Sequence, residues 1–291
     1  MPVDRSTIPS ALDPDWVIAH ESIIRTFIGL RSNREFAANP PAIGVDNVAY
    51  HARQGHPIII ASTHPNWLNP FDIYWTLMHN ADLHMKSCVG DNLYKKIESL
   101  QAKHPGLTER LGINVQTLQK MGMIRTPREG AGWDPEDNDY FFDTLDNEAA
   151  EVIDGIGSIV FATPELGRTY LGEHHVLNRA PVLYFMIDRR LKERDLIIVP
   201  TFAKTSPSGD EIAVSSFWGD KTLKNTPEKK KAFDKIDRNE QIRALRYGIY
   251  PSWMRPDVYV AFGTPIDIGE FRKAYGRDKQ KLQGLLLDRI L

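Results

Sequence analysis

The sequence predicts an α/β protein, and three observations carry that reading. Short apolar runs rich in β-branched residues recur along the chain: IIIAS at 58–62, SIVFA at 158–162, LIIVPTF at 196–202 and DVYVAF at 257–262. Runs of that length, bounded by turn residues, have the pattern of buried strands. Segments of helical spacing alternate with them, which is the order of a mixed central sheet covered by helices on both faces. Finally, 291 residues that are 42% apolar and 25% charged supply enough material for a sizeable core.

The elements follow in order. Residues 14–31 repeat apolar side chains at helical spacing, with Trp16, Ile18 and Ala19, then Ile23 and Ile24, then Phe27 and Ile28. This gives a helical N-terminal segment over 1–40 and an α/β domain over 41–291. Residues 43–50 read as a strand and turn, and 58–62 as a buried strand. A helix is expected from Pro70 to about Met78, and a second strand within 82–90. Helical pattern fills 91–121, interrupted near 104–106, before the short strand candidate GMIRTPRE. A helix over 137–154 is expected to end at Gly155. After the strand at 158–162 come a largely helical stretch at 176–194 and the strand at 196–202. A charged helix at 227–248, the strand at 257–262 and a terminal helix complete the chain.

Composition excludes several classes. With 36 basic and 38 acidic residues the net charge is −2, so nothing global points to nucleic acid. The single Cys88 rules out an internal disulfide and fits a reducing compartment; its strand-like setting reads as packing. The N-terminus lacks a basic start followed by an apolar stretch. The longest apolar run, APVLYFMI at 180–187, falls far short of the ~20 residues of a spanning helix. A cytoplasmic protein, or one resting on a membrane surface, is the expectation. The G-x-G at Gly155–Gly157 precedes a strand, so it reads as a turn and not as a dinucleotide fingerprint. His174 and His175 are adjacent, without the i, i+4 spacing that sets two ligands on one helical face, so no metal site is implied.

The segment IIIASTHPNWLNPFDIYW places His64 where a buried strand gives way to a helix. In open α/β sheets, functional groups gather beyond the carboxyl ends of strands. Asn69-Pro70 reads as an N-cap followed by the first helical residue. Asp72 then falls at the third helical position, where a carboxylate suits the helix dipole.

Four segments in order resemble the PlsC-type glycerolipid acyltransferases, which include lysophosphatidate and glycerol-3-phosphate acyltransferases. The family block H-x-x-x-x-D reads HPNWLN here, from His64 to Asn69. G-x-I-x-x-x-R reads GMIRTPR, with Gly122, Ile124 and Arg128 in place. F-P-E-G-T-R is matched by TPELGR, aligning Pro164, Glu165 and Arg168, with the glycine displaced by one to Gly167. An apolar strand ending in proline reads IIVPT, with Pro200. The match runs from about Ile43 to Thr201, over half the chain.

The resemblance implies a glycerol-3-phosphate acyltransferase-like fold and a role in phospholipid metabolism. It implies transfer of an acyl group from acyl-CoA or acyl-carrier protein to a hydroxyl or amine acceptor, with no cofactor beyond that co-substrate. The acceptor would be a small molecule or a lipid, such as a lysophospholipid or glycerol phosphate. A near-neutral histidine suits removal of the acceptor's proton, which makes His64 the general base. Arg128 and Arg168 would hold an acceptor phosphate bidentately, and Glu165 would position the acceptor or the arginines. Arg125, three residues before Arg128, leaves open which arginine points inward.

Two departures bear on the chemistry. Asn69 replaces the family aspartate; it caps a helix as well but carries no charge for an imidazolium. In a serine-protease triad the same exchange lowers turnover about ten-thousand-fold. Either Asn69 still orients His64, or Asp72 or Glu165 supplies the missing carboxylate, or the usual transfer has been lost or replaced. In PELGRTY, Leu166 and the shifted Gly167 imply a reshaped, more apolar acceptor pocket. The alternative is a non-transferring relative, an acyl- or lipid-binding protein or a thioester hydrolase. The N-terminal helix and 228–255, basic and aromatic together, have the composition of a contact with an anionic bilayer surface. Four acidic residues dilute the second stretch, which favours a solvated helix there. Acceptor, acyl length, donor and oligomeric state are not written in the sequence.

Overall fold

The computed structural model describes residues 10–22, 25, 34–62, 69–110, 114–126, 143–144, 147–148, 151–153, 155–162, 196–205, 258–278 and 281. In chain order the elements are α1 (Pro14–Ala19), α2 (Arg34–Ala38), β1 (Ala42–Ile43), α3 (Val45–Arg53), β2 (Ile58–Ser62), α4 (Asn69–Ala81), β3 (Met85–Gly90), α5 (Asp91–Lys103), α6 (Pro105–Arg110) and α7 (Val115–Lys120). They continue with β4 (Met123–Thr126), β5 (Val152–Ile153), β6 (Ile156–Gly157), β7 (Ile159–Ala162), β8 (Ile197–Thr205), β9 (Val258–Phe262), β10 (Ile266–Asp267) and α8 (Ile268–Tyr275). The helices expected at 176–194 and 227–248 lie outside the described residues, as does the stretch 228–255.

The molecule is α/β, with a mixed and mostly parallel sheet. Strand order is β1-β9-β8-β2-β7-β3-β4, and β10 pairs with β8. The five strands β8-β2-β7-β3-β4 are mutually parallel, while β9 and β10 run antiparallel to β8. Every residue of β2 is buried, as a strand covered on both faces requires. Its alternate residues Ile58 and Ile60 join Ile159, Phe161, Ile197 and Val199 in one core with α4. Ile59, Val160 and Ile198, also buried, point the other way by the pleat.

Helix α4 is apolar almost all round. From Asp72 to Met78 every residue is buried, so this is an interior helix sandwiched between the sheet and other chain. Trp75 sits in that core and donates its ring N–H to the Phe36 carbonyl at 3.3 Å. The helix runs to Ala81, past the expected end near Met78, and stops at Asp82. That residue adopts φ 55°, and its N–H reaches the Met78 carbonyl at 3.1 Å. Such a left-handed cap is open to aspartate at modest cost.

Two sequence expectations are corrected. Residues 43–50 are not a strand and turn: only Ala42–Ile43 pairs, and Val45–Arg53 is helical. Ile43 and Val45 alternate as in a strand, but Val45, Val48, Ala49 and Ala52 hold helical spacing, and the last three are buried. Gly44 makes the switch at φ 72°, where a Cβ would lie 2.1 Å from the Phe262 carbonyl oxygen. Nor does one helix run over 137–154. Residues 143–144 and 147–148 are helical, but Val152–Ile153 pairs back onto Ile156–Gly157. Asp-Gly between two short strands is a strong hairpin signal, and Gly155 takes φ 80° there.

The N-terminal residues are tied to the sheet layer. Ala11 and Asp13 donate backbone N–H groups to Gln119 and Lys120 carbonyls at 3.0 and 3.1 Å. Val17, Phe36 and Ala37 belong to the main core. Ile23, Ile24, Phe27 and Ile28 lie outside the described residues. Among the described residues, no helix is long and apolar enough to cross a membrane.

The half-buried base His84 makes stability depend on pH. His84, between α4 and β3, lies 3.2 Å from the Tyr74 hydroxyl, nitrogen to oxygen. Burial holds its imidazole below the usual histidine range, with the Asp82 charge opposing. The unfolded chain therefore binds this proton first as pH falls. Stability present at neutral pH should decline below about 6.5, the ordinary histidine value. Urea unfolding across that range should show a shallower pH slope for His84→Gln. Parallel curves would remove His84 as the cause.

Candidate functional site

The parallel core strands all end on one edge of the sheet. Ser62 closes β2 in register with Thr201 of β8, Ala61 pairs with Ala162 at the end of β7, and Gly90 pairs with Thr126 at the end of β4. His64 follows β2 by two positions, Arg128 follows β4 by two, and Glu165, Gly167 and Arg168 follow β7 by three to six. All five lie outside the described residues. What the fold brings together is the strand ends from which their segments depart. This is the edge at which open α/β sheets carry their sites.

The strand ends and the helix that follows β2 also bury polar side chains that the apolar reading of the strands did not anticipate. Ser62, Thr201, Asp72 and Thr76 are each fully buried. The Thr201 hydroxyl donates to the Val199 carbonyl at 3.1 Å, and the Thr76 hydroxyl to the Asp72 carbonyl at 2.8 Å. Asn69 opens α4, where a cap was expected; its side chain is outside the described residues. Asp72 is in the first turn of α4, a helix that packs on β3, β8 and β9. A buried carboxylate is costly unless it is partnered, so its burial in the first turn of α4 is a specific feature.

The other motif residues have structural roles that can be separated from chemistry. Gly122 takes φ 78° in the turn from α7 into β4, and a Cβ there would meet the Met85 carbonyl oxygen at 3.0 Å. Ile124 is buried in β4. Arg125 is held by Glu98 at 2.9 Å and lies over the Tyr94 ring at 5.4 Å, so its guanidinium is engaged with α5. Pro200 does not end its strand, since β8 continues to Thr205. The Gly263 N–H donates to the Pro200 carbonyl at 2.7 Å. The missing proline N–H therefore faces the break between β9 and β10, where no ladder partner is needed.

Cys88 lies in β3, and burial pushes its thiol up to about 12, with the Glu148 charge adding to the effect. A thiol in that state is protonated at neutral pH and a poor nucleophile.

Sequence reading missed a charged cluster on the same strand. Lys86, fully buried, places its ammonium 2.6 Å from the Glu148 carboxylate and 3.1 Å from the Glu148 carbonyl, and also contacts Glu151. Glu148 accepts from the Ser10 N–H at 2.6 Å and the Ser10 hydroxyl at 2.7 Å. The Ser158 hydroxyl donates to the Glu148 carbonyl at 2.7 Å. The one available signal was a lysine inside an apolar strand, MKSCVG. Lys86 is near the start of β3, away from the strand ends, and its bonds join the N-terminus, the 148–151 segment and the sheet.

No protein-family model matches the chain. No curated protein matches it either.

Proposed function

We propose that the chain is an acyltransferase of the PlsC type, on a glycerol-3-phosphate acyltransferase-like fold, working in the cytoplasm or at a membrane surface. The observation that carries the reading is Asp72: a fully buried carboxylate in the first turn of the helix that follows the His64 segment.

The chemistry asks little else of the protein. An acceptor O–H or N–H loses its proton to the His64 imidazole as its oxygen or nitrogen attacks the thioester carbonyl carbon of acyl-CoA or acyl-carrier protein. The C–S bond then breaks, and the departing thiolate takes the proton back from the imidazolium. Asp72, or Asn69, orients the ring; a carboxylate also stabilises its charged form. Arg128 and Arg168 hold an anionic acceptor, with Glu165 beside them.

The test pairs donors with acceptors. Wild type and His64→Ala are incubated with acyl-CoA and acyl-carrier donors, each with lysophosphatidate, glycerol phosphate or small amines and alcohols. Products are read by mass spectrometry. Acylated product that falls by about 10²–10⁴-fold in the variant is expected of a general base. Free acid released without acceptor dependence would instead define a thioester hydrolase. Intact donor in every pairing would overturn the proposal.

A further inference from the structure

The amino edge of the sheet, opposite the candidate site, holds a pair of imidazoles that the proposed transfer does not use. His51 lies in the last turn of α3 and His56 just before β2. Their Nδ1 atoms are 3.3 Å apart. We propose that His51 and His56 form a two-imidazole site for a divalent transition-metal ion of the zinc class.

The distance fits two interpretations, which metal titration separates. One is a direct ring-to-ring hydrogen bond, with one imidazole donating and the other accepting. Two nitrogens bound to one tetrahedral ion at about 2.0–2.1 Å are separated by about 3.3 Å. The pair therefore already has the spacing of two adjacent ligands.

The backbone fixes that spacing. Gly55 turns the chain at φ 75°, and the His56 N–H donates to the His51 carbonyl at 3.2 Å. Gly157 of β6 leaves room for the His56 backbone, since a Cβ there would fall 1.9 Å from the His56 carbonyl oxygen. Burial and the neighbouring ring lower the proton affinity of His51, while the Asp267 carboxylate acts on it in the opposite sense. Neutral imidazole is the ligand form, and an anion nearby suits a bound cation.

No group of three or more His, Cys, Asp or Glu side chains gathers for a metal among the described residues. Water completes the coordination, and affinity is below that of a closed structural site. The ion would clamp the end of α3 to the start of β2, far from the strand ends, so its role is structural. Sequence patterns miss such a pair because the residues are five apart and meet through a turn, not on one helical face.

Chelator-treated full-length protein is titrated with zinc chloride by calorimetry, and with cobalt chloride by visible absorption. One equivalent is expected to bind, with a rise in melting temperature in zinc. His51→Gln or His56→Gln should weaken binding at least about tenfold, while a His174→Gln/His175→Gln double variant, which removes the adjacent pair, should leave it unchanged. Circular dichroism verifies that each variant folds. No binding at submillimolar zinc overturns the proposal. So does binding that survives both single variants, or binding lost only in the double variant.

Discussion

An Asp72→Asn variant should fold and lose acyl transfer by about 10³–10⁴-fold, the scale seen when a triad carboxylate becomes an amide. Asn69 cannot balance an imidazolium, and Asp72 is the carboxylate that the fold buries in the first turn of α4. Its loss should appear in kcat more than in KM, because the charge it balances exists only during proton transfer. Asn69→Asp provides the counterpart. If Asn69 orients His64 while Asp72 supplies charge, the added carboxylate should partly rescue the Asp72→Asn enzyme. Turnover that survives Asp72→Asn and disappears in Glu165→Gln would transfer the role to Glu165.

Lys86→Met should lower stability by about 3–5 kcal/mol, the cost of leaving a buried carboxylate without its cation. Lys86 is fully buried, and the Glu148 carboxylate beside it is almost fully buried as well. Methionine fills much of the lysine stem's volume, so most of the loss is electrostatic. Lys86→Met/Glu148→Leu should recover part of it, since replacing both partners of a buried pair is often close to neutral. Ser10 hydrogen bonds are lost in that double variant, which limits the recovery. Denaturant unfolding gives the four corners of the cycle. A cost below about 1 kcal/mol for the single variant would mean that solvent reaches this pair.

The strands were legible because their cause is local. Ile58, Ile59 and Ile60 are apolar on consecutive positions, and their β-branching and the shortness of the run favour a strand buried on both faces. The helix start near Asn69 and Pro70, with Asp72 in its first turn, was legible for the same reason. Val45–Arg53 was not, because a short stretch of alternating apolar residues satisfies either period until Ala49 and Ala52 are weighed with Val48. The hairpin after Val152 was hidden by helix-forming residues that run up to it.

The site divides in the same way. Local sequence placed His64 beyond a strand and Asp72 in a first turn. It could not show that Asp72 turns inward, which depends on how α4 lies across β8 and β9. Lys86 and Glu148 are 62 residues apart, and Ser10 and Glu148 are 138 apart. No periodicity links such positions; only the completed sheet does.

The strand order has a consequence for how the chain is made. β2 lies between β7 and β8, and both are synthesised long after it. While the ribosome works through the intervening elements, a largely apolar strand waits with both hydrogen-bonding edges open, a recognised template for wrong pairing. Closing the sheet depends on contacts distant in sequence, the kind that slow folding. Chaperone supply and growth temperature during expression should therefore influence the yield of native protein more than changes to its surface do.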